Sequence, residues 1–144
     1  MVRTEHYFLD VNIVIYAAGK PSEFKETCIK VLHNIRAGKL SVAIDTEIVQ
    51  EILYRYHRIG LHEEGIKLAW YLLRLKPKVL SISQRELESS IQLYHKYATK
   101  GIPPRDTVHL ATMLNNEIRK IITVDKHFGE VITEVERVDP KEIT

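Results

Sequence analysis

The sequence predicts an α/β fold built on a central parallel sheet of four to five strands. Three observations predict it. Short apolar runs of strand length alternate with longer segments of helical periodicity, the pattern of successive βαβ units. Helix-capping and helix-stopping residues fall between the two kinds of segment. No repeat, low-complexity tract or linker interrupts the 144 residues, so the chain reads as one domain over 1–144.

The elements follow in order. "YFLD", residues 7–10, is the first strand, and Asn12 is placed to cap a short helix running through Ala17. Pro21 and Ser22 open a helix to about Ala37, which Gly38 ends. "LSVAI", residues 40–44, is the second strand. Asp45 or Thr46 then caps a helix ending near Arg58, with Gly60 as its stop. A further helix spans about Leu61 to Leu75 and is terminated by Pro77. "KVLSI", residues 78–82, is the third strand. Ser83 and Glu86 have capping-box spacing, so a helix follows to about Lys100. Gly101 to Pro104 is a loop, and Arg105 to Arg119 is helical. "KIITV", residues 120–124, is the fourth strand, and "VERV", residues 135–138, supplies a fifth. In a parallel sheet with right-handed crossovers, function gathers at the carboxyl ends of the strands.

Composition narrows the classes. An apolar fraction of 44% excludes disorder. Cys28 is the single cysteine, so no disulfide forms within the chain and a reduced compartment is expected. It lies in a helical pattern and reads as a small buried hydrophobe. The net charge of +2 permits a nucleic-acid partner without announcing one. No apolar run is long enough for a membrane span. Asp10 and Asn12 interrupt the run from Tyr7 to Ala18, which argues against a signal peptide and for a cytoplasmic protein. No two of the seven histidines stand four apart and no cysteine pair exists, which disfavours zinc. No phosphate-binding Gly-rich loop and no Gly-x-Ser-x-Gly elbow appear.

The carboxylates carry the functional argument. Asp10 ends strand one and Asp125 follows strand four, so both fall at one sheet edge. Asp106 lies in the first turn of the helix after Pro103-Pro104. The helix after strand two carries Glu47 and Glu51. Its apolar stripe is Ile48, Val49, Ile52, Leu53 and Tyr56. At 100° per residue Glu47 points away from that stripe and is expected to be solvated, whereas Glu51 borders it and can reach over the sheet edge. Each acid alone has a plain structural role, as a cap or a surface charge. Asp10 does not, because its apolar flanks leave no solvated position. Four acids brought together repel and take up protons. A hard divalent cation such as Mg²⁺ or Mn²⁺ relieves this and leaves room for phosphate oxygens.

"FLDVN", "VQEILYR", "PPRDTVHLA" and "IITVDKHF" together resemble the PIN domain, and within it the VapC-like toxin ribonucleases of prokaryotes. The resemblance covers nearly the whole chain, with Asp106 to Phe128 as its most specific tract. It implies a three-layer α/β/α sandwich. It also implies a Mg²⁺- or Mn²⁺-dependent endoribonuclease that cleaves single-stranded RNA with metal-activated water, leaving a 5′-phosphate and a 3′-hydroxyl. The acidic quartet falls on Asp10, Glu51, Asp106 and Asp125, as catalytic residues and metal ligands, with Asn12 and Thr123 in support. Many relatives dimerise, and toxin members are held inactive by an antitoxin protein, so a homodimer and an antitoxin partner are expected. A housekeeping RNA-processing nuclease and a non-catalytic RNA-binding scaffold are the alternatives, and the intact quartet disfavours the second.

Further residues are weighed against that reading. A haloacid-dehalogenase-type phosphatase needs an acid two after the first Asp, where Asn12 stands. A receiver domain needs an Asp ending its middle strand, where Ser81 to Ser83 stand. Arg105 is the first choice for a phosphate contact of the RNA. His109 reads as a packed, hydrogen-bonded histidine. Tyr16, Tyr54 and Phe128 read as core. The Leu68, Trp70, Tyr71, Leu72 and Leu75 cluster is broad for one helix face, and serves either the core or a partner surface.

Overall fold

The computed structural model describes residues 5–144. Its elements run β1 (Tyr7–Leu9), α1 (Val11–Ala18), α2 (Lys25–Arg36), β2 (Val42–Asp45), α3 (Thr46–Arg58) and α4 (His62–Arg74). They continue with β3 (Lys78–Leu80), α5 (Gln84–Tyr97), α6 (Pro104–Asn115), β4 (Lys120–Ile122), the short α7 (His127–Glu130) and β5 (Glu136–Val138). The sheet is parallel throughout, in the order β3-β2-β1-β4-β5.

The strands are continuous apolar runs because both faces of the sheet are covered. Phe8, Leu9, Ala43, Ile44, Ile121 and Ile122 are all fully buried. Phe8 pairs with Ala43 on one side and Ile121 on the other, which fixes β1 at the centre. The edges carry charge that blunts further pairing: Lys78 on β3, and Glu136 and Arg137 on β5. The helices pack in sequential pairs, α1 with α2, α3 with α4, α5 with α6.

The strand order locates the site. From β1 the chain steps to β2 and then β3 in one direction, then crosses back to β4 on the other side of β1. Right-handed crossovers therefore put α1 to α4 on one face and α5 and α6 on the other, giving three layers. The direction reverses between β1 and β4. A crevice opens at such a switch point, beyond the carboxyl ends of the strands.

Several boundaries differ from the sequence reading, each for a local reason. Asp10, not Asn12, caps α1, its Oδ1 accepting from the Val11 N–H at 2.8 Å. β2 starts two residues late and runs onto Asp45, whose Oδ1 accepts from the Ile48 N–H and caps α3. The helix expected from Pro21 begins at Lys25, because Ser22 forms a turn with Phe24 and Lys25 first. α6 stops at Asn115 rather than Arg119, because Glu117 takes a left-handed conformation. Gly38 and Gly60 stop their helices at positive φ, as expected. The capping box at Ser83 and Glu86 forms. Cys28 is buried, and its thiol is pushed up to about 11 mainly by that burial. Tyr54, expected in the core, is half exposed and lies beside Arg58 and Arg105. Of the α4 cluster, Leu72 is fully buried and Trp70 is exposed. Among the described residues no helix is long and apolar enough to cross a membrane.

Candidate metal centre

Asp10 stands at the end of β1, the strand beside the switch point. One hydroxyl organises it. Thr123, which follows β4, donates from Oγ1 to Asp10 Oδ2 at 2.7 Å. The Asn12 amide donates to the same Thr123 oxygen at 2.9 Å and to Asp10 Oδ2 at 3.2 Å. Thr123 Oγ1 also accepts from the backbone N–H of Asp125 at 3.0 Å. Burial removes Asp10 from water and pushes its carboxyl up to about 6, against the pull of His109 and of the Thr123 hydrogen bond. The nearby acids Asp106 and Glu51 push in the same direction as burial.

Glu51 reaches inwards from α3, as its helical phase predicts, and is buried. Its Oε1 lies 2.6 Å from His109 Nε2. The other ring nitrogen, Nδ1, lies 2.6 Å from Oδ2 of Asp45. This Asp45–His109–Glu51 line is sealed: Asp45 and His109 have no exposed surface. Burial alone would pull the His109 pKa down, but hydrogen bonds to two carboxylates outweigh it and hold the ring well above its ordinary range. His109 therefore bridges two carboxyl groups and packs against Phe8. Oε2 of Glu51 has no hydrogen-bond partner among the described residues, and Glu51 lines the cleft.

Asp106 and Asp125 meet over a second histidine. His127 Nε2 is 2.7 Å from Asp106 Oδ2, and Nδ1 is 2.6 Å from Asp125 Oδ1. Donor atoms of Asp106, Asp125 and His127 all lie within 4.8 Å of one another. Burial raises the Asp106 pKa, while His127 and His109 oppose the rise. The three residues line a cleft of about 660 Å³ with Glu47, Glu51, Arg55 and Arg105. Asp10 and Glu51 fall outside the three-residue cluster; Glu51 lines the same cleft as Asp106 and Asp125, while Asp10 lies behind its wall, so the four predicted acids do not converge on one point.

Three residues differ from their sequence reading. Glu47 is not simply solvated: Arg105 Nε pairs with its Oε1 at 3.3 Å and lies 3.8 Å from Glu51 Oε1, so Glu47 belongs to the cleft wall. Asp45 is more than a helix cap. It ends a strand at the same edge as Asp10, a signal the sequence carries for both. His127 is missed by the sequence reading: Asp125 stands two residues before it, but its second partner, Asp106, arrives from α6 through the topology.

The donor set fits a divalent cation. Two carboxylates and an imidazole converge, and Nε2 of His127 is buried without a hydrogen-bond partner. The residues 7–133 match the family described as the PIN domain. The chain belongs to the PIN domain family. It is 27% identical over 121 residues to Ribonuclease VapC13 of Mycobacterium tuberculosis, covering 83% of this chain and 90% of that protein. This PIN fold superposes on a toxin of Mycobacterium tuberculosis, VapC20, described as cleaving the sarcin–ricin loop, with a TM-score of 0.73 at 14% identity. That match covers 88% of this chain and 95% of the other. VapBC2 of Rickettsia felis, solved with a promoter DNA fragment, gives a TM-score of 0.68 at 18% identity, over 92% and 98% of the two chains.

Proposed function

We propose that this PIN domain is a divalent-metal-dependent endoribonuclease and the toxin of a toxin–antitoxin pair. The observation that carries the proposal is the convergence of Asp106, Asp125 and His127 in a cleft shared with Glu51, at the crevice where Asp10 ends β1. Asp10, Glu51, Asp106 and Asp125 would hold Mg²⁺ or Mn²⁺ directly or through its waters. Such a cation would supply charge neutralisation of the acids and an activated water at neutral pH. The chain's own groups do the rest. Thr123 and Asn12 fix the orientation of Asp10, and His109 fixes Glu51. Arg105, at the cleft wall, meets a phosphate of single-stranded RNA. The expected products carry a 5′-phosphate and a 3′-hydroxyl.

Protein partners follow from the surface. Ile66, Trp70 and Leu73 form an exposed apolar stripe on α4, and Leu87, Ile91 and Tyr94 another on α5. These support docking of an antitoxin protein and of a second copy of the chain. The curated relative is named a ribonuclease, and the solved neighbours are toxins or toxin–antitoxin complexes, which supports the same reading.

The test uses a defined single-stranded RNA library with Mg²⁺, Mn²⁺ or EDTA, with end mapping. Wild type cleaves with either metal and EDTA stops it, while Asp10→Asn loses cleavage by at least about a hundredfold. Cleavage that survives Asp10→Asn or EDTA in a clean preparation overturns the proposal.

A further inference from the structure

We propose that His127 is a nitrogen ligand of the cation site, and that through it the site prefers a first-row transition ion, with Mn²⁺ as the probe, over Mg²⁺. The inference rests on the metal-site reading above and concerns which atoms form that site.

His127 stands at ion-pair distance from two acids, but its Nε2 is poorly placed for a hydrogen bond. Nε2 lies 2.7 Å from Asp106 Oδ2, and the pair falls short of donor–acceptor alignment, which leaves this buried atom unsatisfied. A buried polar atom without a partner is uncommon and calls for a role. Adjacent ligands of an octahedral ion with bonds of ~2.1 Å lie about 3 Å apart. The separation of Nε2 and Oδ2 is close to that value, so the two atoms can share an ion with little movement. Asp125 belongs to the same cluster, since one donor atom from each of Asp106, Asp125 and His127 lies within 4.8 Å of the others.

The ring is held in place from its own backbone. The His127 N–H donates to Asp125 Oδ1 at 3.2 Å, and that oxygen is also the neighbour of Nδ1. Asp125 thus clamps one side of the residue while Nε2 faces Asp106. Phe128, fully buried, anchors the next position and lies against the imidazole. His127 is about one quarter exposed, so the ring sits at the mouth of the site, where an ion enters.

The donor type sets the preference. Mg²⁺ is small and hard and binds oxygen almost exclusively. Imidazole nitrogen favours first-row transition ions, so replacing one oxygen ligand by nitrogen tilts the site away from Mg²⁺.

The experiment compares wild type with His127→Gln, using Mn²⁺ and Mg²⁺ alone as probes. Titration calorimetry gives the two affinities. Pulsed EPR of bound Mn²⁺ reads nitrogen coupling, with a second sample carrying ¹⁵N-histidine. Wild type shows a histidine nitrogen coupling that changes with the isotope. His127→Gln loses it, and the Mn²⁺-over-Mg²⁺ ratio falls about tenfold or more, since even outer partners of a ligand change affinity by that much. Mn²⁺ bound without nitrogen coupling overturns the proposal and leaves an all-carboxylate site standing. No Mn²⁺ bound by wild type overturns both this and the metal-site reading. If His127→Gln does not fold, the isotope comparison on wild type still decides, because both nitrogens of the nearby His109 are taken by Asp45 and Glu51.

Discussion

Two histidines each stand between two carboxylates, and they do opposite jobs. His109 bridges Asp45 and Glu51 in full burial with aligned hydrogen bonds at 2.6 Å on both sides. His127 bridges Asp106 and Asp125 at similar distances, but at the cleft mouth and with Nε2 unsatisfied. The same three groups form a sealed, aligned clamp in one place and an open cluster with an unsatisfied nitrogen in the other. Alignment and solvent access make the difference, since the residue types are the same.

The largest effect separates the two directly. His109→Ala leaves two buried carboxylates facing an empty space, which costs about 3–5 kcal/mol of stability. His127→Ala, in a part-exposed position, costs less than about 1 kcal/mol. Urea unfolding without added metal measures both, and equal losses would break the comparison.

Asp10 sharpens it, because this buried acid has no cation hydrogen-bonded to it. Its carboxyl is raised from 3.8 to about 6, so the folded state holds the proton more tightly than the unfolded chain. Stability from that proton is full below about pH 3.8 and is lost as pH rises through 6. Asp10→Asn removes the penalty. The variant therefore matches wild type near pH 4 and exceeds it at pH 7 by up to roughly 3 kcal/mol, while losing cleavage. Thermal melts at the two pH values without metal give the difference, and a constant offset would contradict the origin assigned to it.

A smaller effect than that of His109 or Asp10 lies at Thr123. Thr123→Val keeps the shape but removes the hydroxyl that donates to Asp10 and accepts from Asn12 and Asp125. The expected loss is about 1–2 kcal/mol. Urea midpoints read it, and recovery in Thr123→Ser would show that the hydroxyl, not the methyl, is responsible.

How much of this the sequence holds differs by residue. Asp10 and Asp125 are legible because a carboxylate at the end of an apolar strand is costly to bury and stands where a parallel sheet gathers its function. Glu51 is legible from helical phase. Asp45 carries the same strand-end signal as Asp10, but its capping role, which it also performs, masks that signal. His109 is legible as packed, but its two anionic partners come from β2 and α3, and no local spacing announces them. Glu47 escapes the sequence reading because phase places a residue relative to its own helix, not relative to Arg105 on another. The sheet class is legible from alternation. The β2 start is not, because Leu40 and Ser41 are as strand-like as the residues that pair, and only the register with β1 excludes them.

The bond between Thr123 and Asp10 joins positions 113 apart in the chain. On the ribosome, therefore, the first strand is complete long before its functional partner exists. Until β4 and the residues after it have left the exit tunnel, Asp10 lacks its hydroxyl donor and Asp125 is not yet beside it. A chain paused in synthesis at any earlier point carries no assembled cleft. The topology thus orders assembly: the cleft forms only once β4 has joined β1.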